Sequence, residues 1–157
     1  MSRPTKEMHQ LIDMYLDSGG EWPVRSKDIA SWLLKNNLWK ITEDSVLKAC
    51  AQNVSKAMRE DHATDSKGRS VRQKHPVKKK NAAGKQETFW DDINTASHSH
   101  MQLAFQQRRR LIVADCAQLK TDVDSYNDQD RNTDRPIQMI FDFTDDLADL
   151  DELDEAA

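Results

Sequence analysis

Residues 56–85 read KAMREDHATDSKGRSVRQKHPVKKKNAAGK, and the fold turns on how this stretch is read. It carries ten Lys or Arg against three Asp or Glu, is punctuated by Gly68 and Gly84, and follows a helical pattern. Its spacing predicts a β-hairpin, with a first strand over 69–77, a loop over 78–84 and a second strand over 85–91. Val71, Val77, Phe89 and Trp90 anchor the strands, and Pro76 places the first strand at an edge or near a bulge. Lys78, Lys79 and Lys80 at a loop tip cannot pack, so they face water or a negative partner and act as point charges toward phosphate. Arg69 and Arg72 add guanidinium forks able to grip a guanine edge or enter a minor groove.

The rest of the charge is arranged around this run. Residues 1–120 hold 21 basic and 14 acidic side chains (net +7), whereas 121–157 hold 2 and 13 (net −11). The formal total of −4 hides two opposite surfaces, and a partner responds to the local field rather than the sum. Leu, Ile, Val and Phe make up 30 of 157 residues, at the lower edge of what a packed core needs, and four Trp partly compensate. All four Trp fall between 22 and 90, so a folded domain is expected over 1–95.

Within it, Met8, Leu11, Ile12 and Tyr15 recur at helical spacing up to Gly19 and Gly20. Ser26 is expected to cap a second helix whose buried stripe is Ile29, Ala30 and Leu33. Thr42 is expected to cap a third helix with Glu43 and Asp44 at its positive end and an apolar stripe of Leu47, Cys50, Ala51, Val54 and Met58. Its opposite side carries Lys48, Gln52, Ser55, Lys56 and Arg59. Such a polar stripe is ordinarily a solvated face; its functional weight comes from the basic hairpin that follows. Cys50 and Cys116 are expected to be buried, reduced thiols.

Three helices followed by a basic hairpin resemble the winged helix-turn-helix superfamily over 5–93. The resemblance rests on element order and charge placement. It implies a third helix in the major groove, with Lys48, Gln52, Lys56 and Arg59 at the contact. It also implies a wing that contacts DNA through Arg69, Arg72, Lys78, Lys79, Lys80 and Lys85. The long connection around Trp39 and the length of the third helix depart from the usual pattern.

Thr95 is expected to cap a helix that runs without Gly or Pro to Asn127, with Phe105, Ile112, Cys116, Leu119, Val123 and Tyr126 on one seam. A helix of about 30 residues spans roughly 45 Å and needs a covering partner, so residues 96–127 are read as a homodimerisation helix, the alternative being a long helix folded back on its own domain. Arg108, Arg109 and Arg110 are a second phosphate contact or the wet face of that helix. Residues 128–157 form an acidic, largely disordered tail with a short partner-binding segment: Gln138, Ile140, Phe141 and Phe143, then Leu147, Leu150 and Leu153. Gln138, Phe141 and Phe143 also resemble the short peptides by which bacterial proteins grip the sliding clamp.

No phosphate loop, nucleophile elbow or paired-His metal motif is present. His98 and His100 point to different sides of a helix start, and Lys85, Glu87, Asp91 and Asp92 do not follow a carboxylate-x-lysine nuclease order. The expectation is a mainly α, non-enzymatic protein that binds duplex DNA as a transcriptional regulator or accessory factor, with no cofactor and no metal. The alternatives are a protein-interaction adaptor on the same scaffold and a structured-RNA binder. No apolar run of about 18 residues and no charged-then-apolar leader occurs, so no membrane partner is expected and the location read is cytoplasmic, nucleoid-associated if bacterial.

Overall fold

The computed structural model of the protein describes residues 3–156, with side chains described from 6 to 150. Leu153 of the expected tail stripe lies outside the described side chains. The chain is mainly helical with small antiparallel hairpins and one long helix, and it divides into two compact units, Met1–Asn53 and Val54–Ala157.

The first unit holds α1 (Arg3–Asp17), α2 (Ser26–Lys35) and the start of α3 (Glu43–Glu60). The stripe read from Met8 to Tyr15 packs on α2, where the Tyr15 and Trp32 rings meet edge to face at 5.7 Å. Ile29 and Leu33 are the buried residues of α2; Ala30, expected beside them, is exposed. Ser26 is not the cap. Helical geometry already includes Ser26, Arg25 takes the cap position, and the Arg25 guanidinium closes onto the Asp28 carboxylate at 2.8 and 2.9 Å. Thr42 does cap α3, by a reciprocal pair in which Thr42 Oγ1 accepts from the Ser45 amide and Ser45 Oγ accepts from the Thr42 amide.

The expected apolar stripe of α3 is not covered. No α3 side chain is buried, and Leu47 and Val54 are 66% and 51% exposed. Cys50 is exposed and Cys116 half-buried, so neither thiol is the core residue expected; both are free.

The second unit is built on two antiparallel hairpins. The first, absent from the sequence expectation, pairs β1 (His62–Thr64) with β2 (Ser70–Arg72). Its turn is organised by one carboxylate: Asp65 Oδ1 accepts from the Lys67 and Arg69 amides, Oδ2 holds the Arg69 guanidinium, and Gly68 supplies a φ of +83°. The second hairpin pairs β3 (Lys74–Lys80) with β4 (Gln86–Asp92), in register from Lys74 opposite Asp92 to Lys80 opposite Gln86.

This register corrects the expected loop. Lys78, Lys79 and Lys80 are strand residues, and the turn is confined to 81–85, where Asn81 Oδ1 accepts from the Ala83 and Lys85 amides. Pro76 is tolerated because a two-stranded sheet consists of edges.

α4 (His98–Asn127) starts two residues later than Thr95 predicts at its cap, since Ser97 Oγ accepts from the His100 amide, and it ends at Asn127 as read. Its first turns lie on β3. Met101 and Ala104 are buried with Val77, the most enclosed side chain of the unit. The Gln107 carboxamide both accepts from the Lys78 amide and donates to the Lys78 carbonyl, at 2.8 and 2.9 Å. It satisfies the open edge of β3 as a third strand would. Beyond this point Leu111, Ile112, Val113, Leu119 and Tyr126 are all exposed.

A short 3-10 turn (Asp130–Asn132) reverses the chain, and Asn127 clasps the Ile137 peptide by donating to its carbonyl and accepting from its amide. The expected disordered tail contains a helix, α5 (Thr144–Ala156), begun by Asp142 accepting from the Thr144 amide and hydroxyl.

Candidate functional site

Which of the cations are already neutralised decides where a negative ligand is wanted. On α3, Lys48 pairs with Asp44 at 2.6 Å and Lys56 with Glu60 at 3.8 Å. Arg69 pairs with Asp65, and Lys74 lies against Asp92 and Asp61. Apart from Asp61, which lies between α3 and β1, these carboxylates come from the same helix or hairpin as their cations. Pairs this open to solvent are screened, so they neutralise charge locally without fixing a site.

Arg59, Arg72, Lys78, Arg108 and Arg110 are different. Among the described residues none of them has a carboxylate partner, and together with Gln107 they line one cavity of about 440 Å3. Its apolar surface comes from Pro76, Ala104 and Leu111. Each element contributes for a local reason. β2 ends at Arg72, which half-buries its side chain beside the turn into β3. The end of α3 supplies Arg59, whose guanidinium lies 5.6 Å from the Trp90 ring centre, a cation–π arrangement that restrains it. Ala104, Gln107, Arg108 and Leu111 follow the i, i+3, i+4, i+7 steps of one helix face.

Arg72 is the most constrained member. Its Nε is shut off from water and has no hydrogen-bond partner among the described residues. Burial lowers its pKa below the usual arginine value, and repulsion from Arg108 and Arg59 pushes the same way. It remains a cation. A buried, unsatisfied guanidinium N–H among like charges is costly, and an oxyanion in the cavity would relieve both costs at once.

Beneath it, His75 is 4% exposed. Its Nε2 donates to the Arg72 carbonyl at 2.9 Å, and the Phe105 ring meets it edge to face at 5.1 Å. Burial foremost, with the nearby Arg108, Arg72 and His100, lowers its pKa despite that hydrogen bond, so the ring is neutral near pH 7. His100 in turn donates to the His75 carbonyl. A neutral imidazole held through Nε2 and against Phe105, on a backbone carbonyl that His100 holds, is a strut under the arginines.

Three of the residues expected at a DNA contact, Arg59, Arg72 and Lys78, are therefore brought together. Strand alternation turns Lys79 to the other face, where its ammonium lies 4.8 Å from the Phe89 ring centre. Lys80 and Lys85 are exposed and line no part of the cavity. Lys48 and Gln52 belong to the first unit. Gln107 and His75 were not anticipated, and the Arg108–Arg110 triplet was left without an assignment. The four-residue step from Ala104 to Arg108 was the legible signal for that side of the site.

No family model, curated protein or solved structure matches this chain. Among the described residues, no group of three or more His, Cys, Asp or Glu side chains is placed to hold a metal ion, and no helix is long and apolar enough to cross a membrane.

Proposed function

We propose that the protein is a non-enzymatic, cytoplasmic nucleic-acid-binding protein whose primary ligand is duplex DNA, held by its phosphates over the arginine basin of the second unit. The observation that carries this is Arg72: a half-buried guanidinium with an orphaned Nε, faced by Arg59 and Arg108 and, among the described residues, by no carboxylate. Phosphate oxygens satisfy such forks with charge-assisted hydrogen bonds. Lys78 and Lys80 on the same strand face extend the basin along β3, and Lys85 adds charge at the turn.

The order of α1 to α3 followed by β3 and β4 supports a winged-helix scaffold. On it Gln52 and Lys48 act as base-edge and backbone contacts of α3, and Lys56 exchanges its weak Glu60 pairing for phosphate. Exposed Ile112, Leu119 and Tyr126 support homodimerisation through α4, which would set two basins on neighbouring half-sites. The Asn127 clasp and an Ile140 that is 82% exposed support a protein partner for the tail.

The test is fluorescence anisotropy of the full chain with duplex DNA, single-stranded DNA and duplex RNA at several salt concentrations. Duplex DNA is expected to bind with a log K against log salt slope near −4 to −5, as for about five phosphates. Salt-independent binding, or none, would remove the proposal; preference for duplex RNA would change the ligand class.

A further inference from the structure

We infer that the arginine cavity is a nucleotide site, taking a nucleoside phosphomonoester either free or as the phosphorylated end of a strand. The inference rests on the anion-binding role just proposed and goes beyond it. A duplex backbone lying across a surface needs charge alone, whereas this feature has depth and an apolar floor.

The first argument is charge. Among the described residues, five cations and no carboxylate line the cavity. A phosphodiester brings a single negative charge, while a phosphomonoester carries about −1.5 to −2 at pH 7 and three free oxygens. The dianion is the better match to Arg72 and its two guanidinium neighbours, each of which has donors left over after its internal contacts.

The second argument is shape. About 440 Å3 lies toward the small end of ligand cavities, sufficient for one nucleoside monophosphate and far too small for a duplex. Pro76, Ala104 and Leu111 offer apolar surface that a hydrated phosphate cannot use and a base or sugar can. The walls are also set in advance. Gln107 ties α4 to β3 through both polar groups of Lys78, and Trp90 restrains Arg59. Prior ordering of this kind lowers the cost of binding.

The experiment uses the full chain. Calorimetry with adenosine monophosphate, inorganic phosphate and adenosine is combined with anisotropy on single strands bearing a 5′-phosphate or a 5′-hydroxyl. The nucleotide, or the phosphorylated end, should bind at least about 10-fold tighter than phosphate, nucleoside or hydroxyl end, a difference of about 1.4 kcal/mol. Tight binding of the free nucleotide with no end preference would assign a soluble nucleotide. The reverse would assign a strand end.

Arg72→Gln should abolish the preference. Leu111→Trp fills the apolar floor from an exposed position, and should weaken the nucleotide by a larger factor than inorganic phosphate. Equal affinity for phosphate and nucleotide, with no end preference, would overturn the nucleotide site and leave duplex binding standing. Nucleotide binding without any duplex binding would do the opposite.

Discussion

Two arginines three residues apart live in opposite circumstances. Arg69 closes the first hairpin by placing its guanidinium on Asp65, a carboxylate that also accepts two backbone amides, and the pKa of Asp65 is lowered mainly by that side-chain bond. Arg72 ends the same hairpin against the long helix, with a buried Nε that nothing accepts from and two arginines for neighbours. The first is a folding device whose charge is spent. The second is a charge held in reserve. Counting cations along the sequence treats them alike; counting the carboxylates around each tells a paired cation from an unpaired one.

The largest consequence falls on DNA affinity. Arg72→Gln with Arg108→Gln should weaken duplex binding by at least about 100-fold, since charge-assisted hydrogen bonds contribute about 1.5–3 kcal/mol each, and should flatten the salt slope by about two. Arg69→Gln should change affinity only a few-fold while exposing its hairpin to proteolysis. Comparable losses of affinity from both substitutions would erase the distinction.

Assembly comes next. Ile112→Asp with Leu119→Asp puts carboxylates where the dimer reading buries apolar side chains. Light scattering should then show a dimer becoming a monomer without loss of the β3–β4 hairpin by circular dichroism; a monomeric parent would end that reading.

A third test turns on acid. The Asp92 carboxyl is pulled down to about 2 from 3.8, mainly by the Lys74 side chain and then by the Asn94 amide. The unfolded chain therefore takes up its proton first, so this stabilisation is complete above about pH 4 and is lost as pH falls toward 2. His75 works in the same direction at higher pH: its lowered pKa means that stability drops as pH falls below about 6.5, the unfolded value. Asp92→Asn should remove the lower step from an acid titration and His75→Phe the upper one, each followed by tryptophan fluorescence.

The smallest effect belongs to the tail. Residues 121–157 carry a net −11 against +7 for the remainder, and a tethered polyanion competes for the basin. Deleting residues 136–157 should tighten DNA binding a few-fold at low salt and leave it unchanged at high salt, where the Debye length shrinks. Equal affinities at every salt would make the tail a docking element only.

Much of the scaffold was legible. The heptad-like steps of α1, the Thr42 cap and the end of α4 at Asn127 follow from local chemistry that tertiary contacts do not override. The first hairpin was hidden because its strands are three residues long with Val71 as their largest apolar side chain, so pairing depends on the Asp65 turn rather than on alternation. The lysine run was misplaced by taking three adjacent charges as a loop. Strand backbone tolerates them because successive side chains leave on opposite faces and the Asn81 carboxamide closes the turn afterwards. Arg72 was singled out for its guanidinium; its lack of a partner could not be seen, since that depends on Arg108, which lies 36 positions further along the sequence.

The central claim is that the orphaned Arg72 Nε, not the paired Arg69, receives the phosphate. Arginine Nε–H resonances of the full chain, followed by nitrogen-15 NMR during a duplex DNA titration, separate the two residues directly. The Arg72 signal should move downfield and become protected from exchange, with Arg59 and Arg108 responding alongside it and Arg69 unchanged. A titration in which Arg69 and the exposed lysines respond while Arg72 stays where it was would contradict the account.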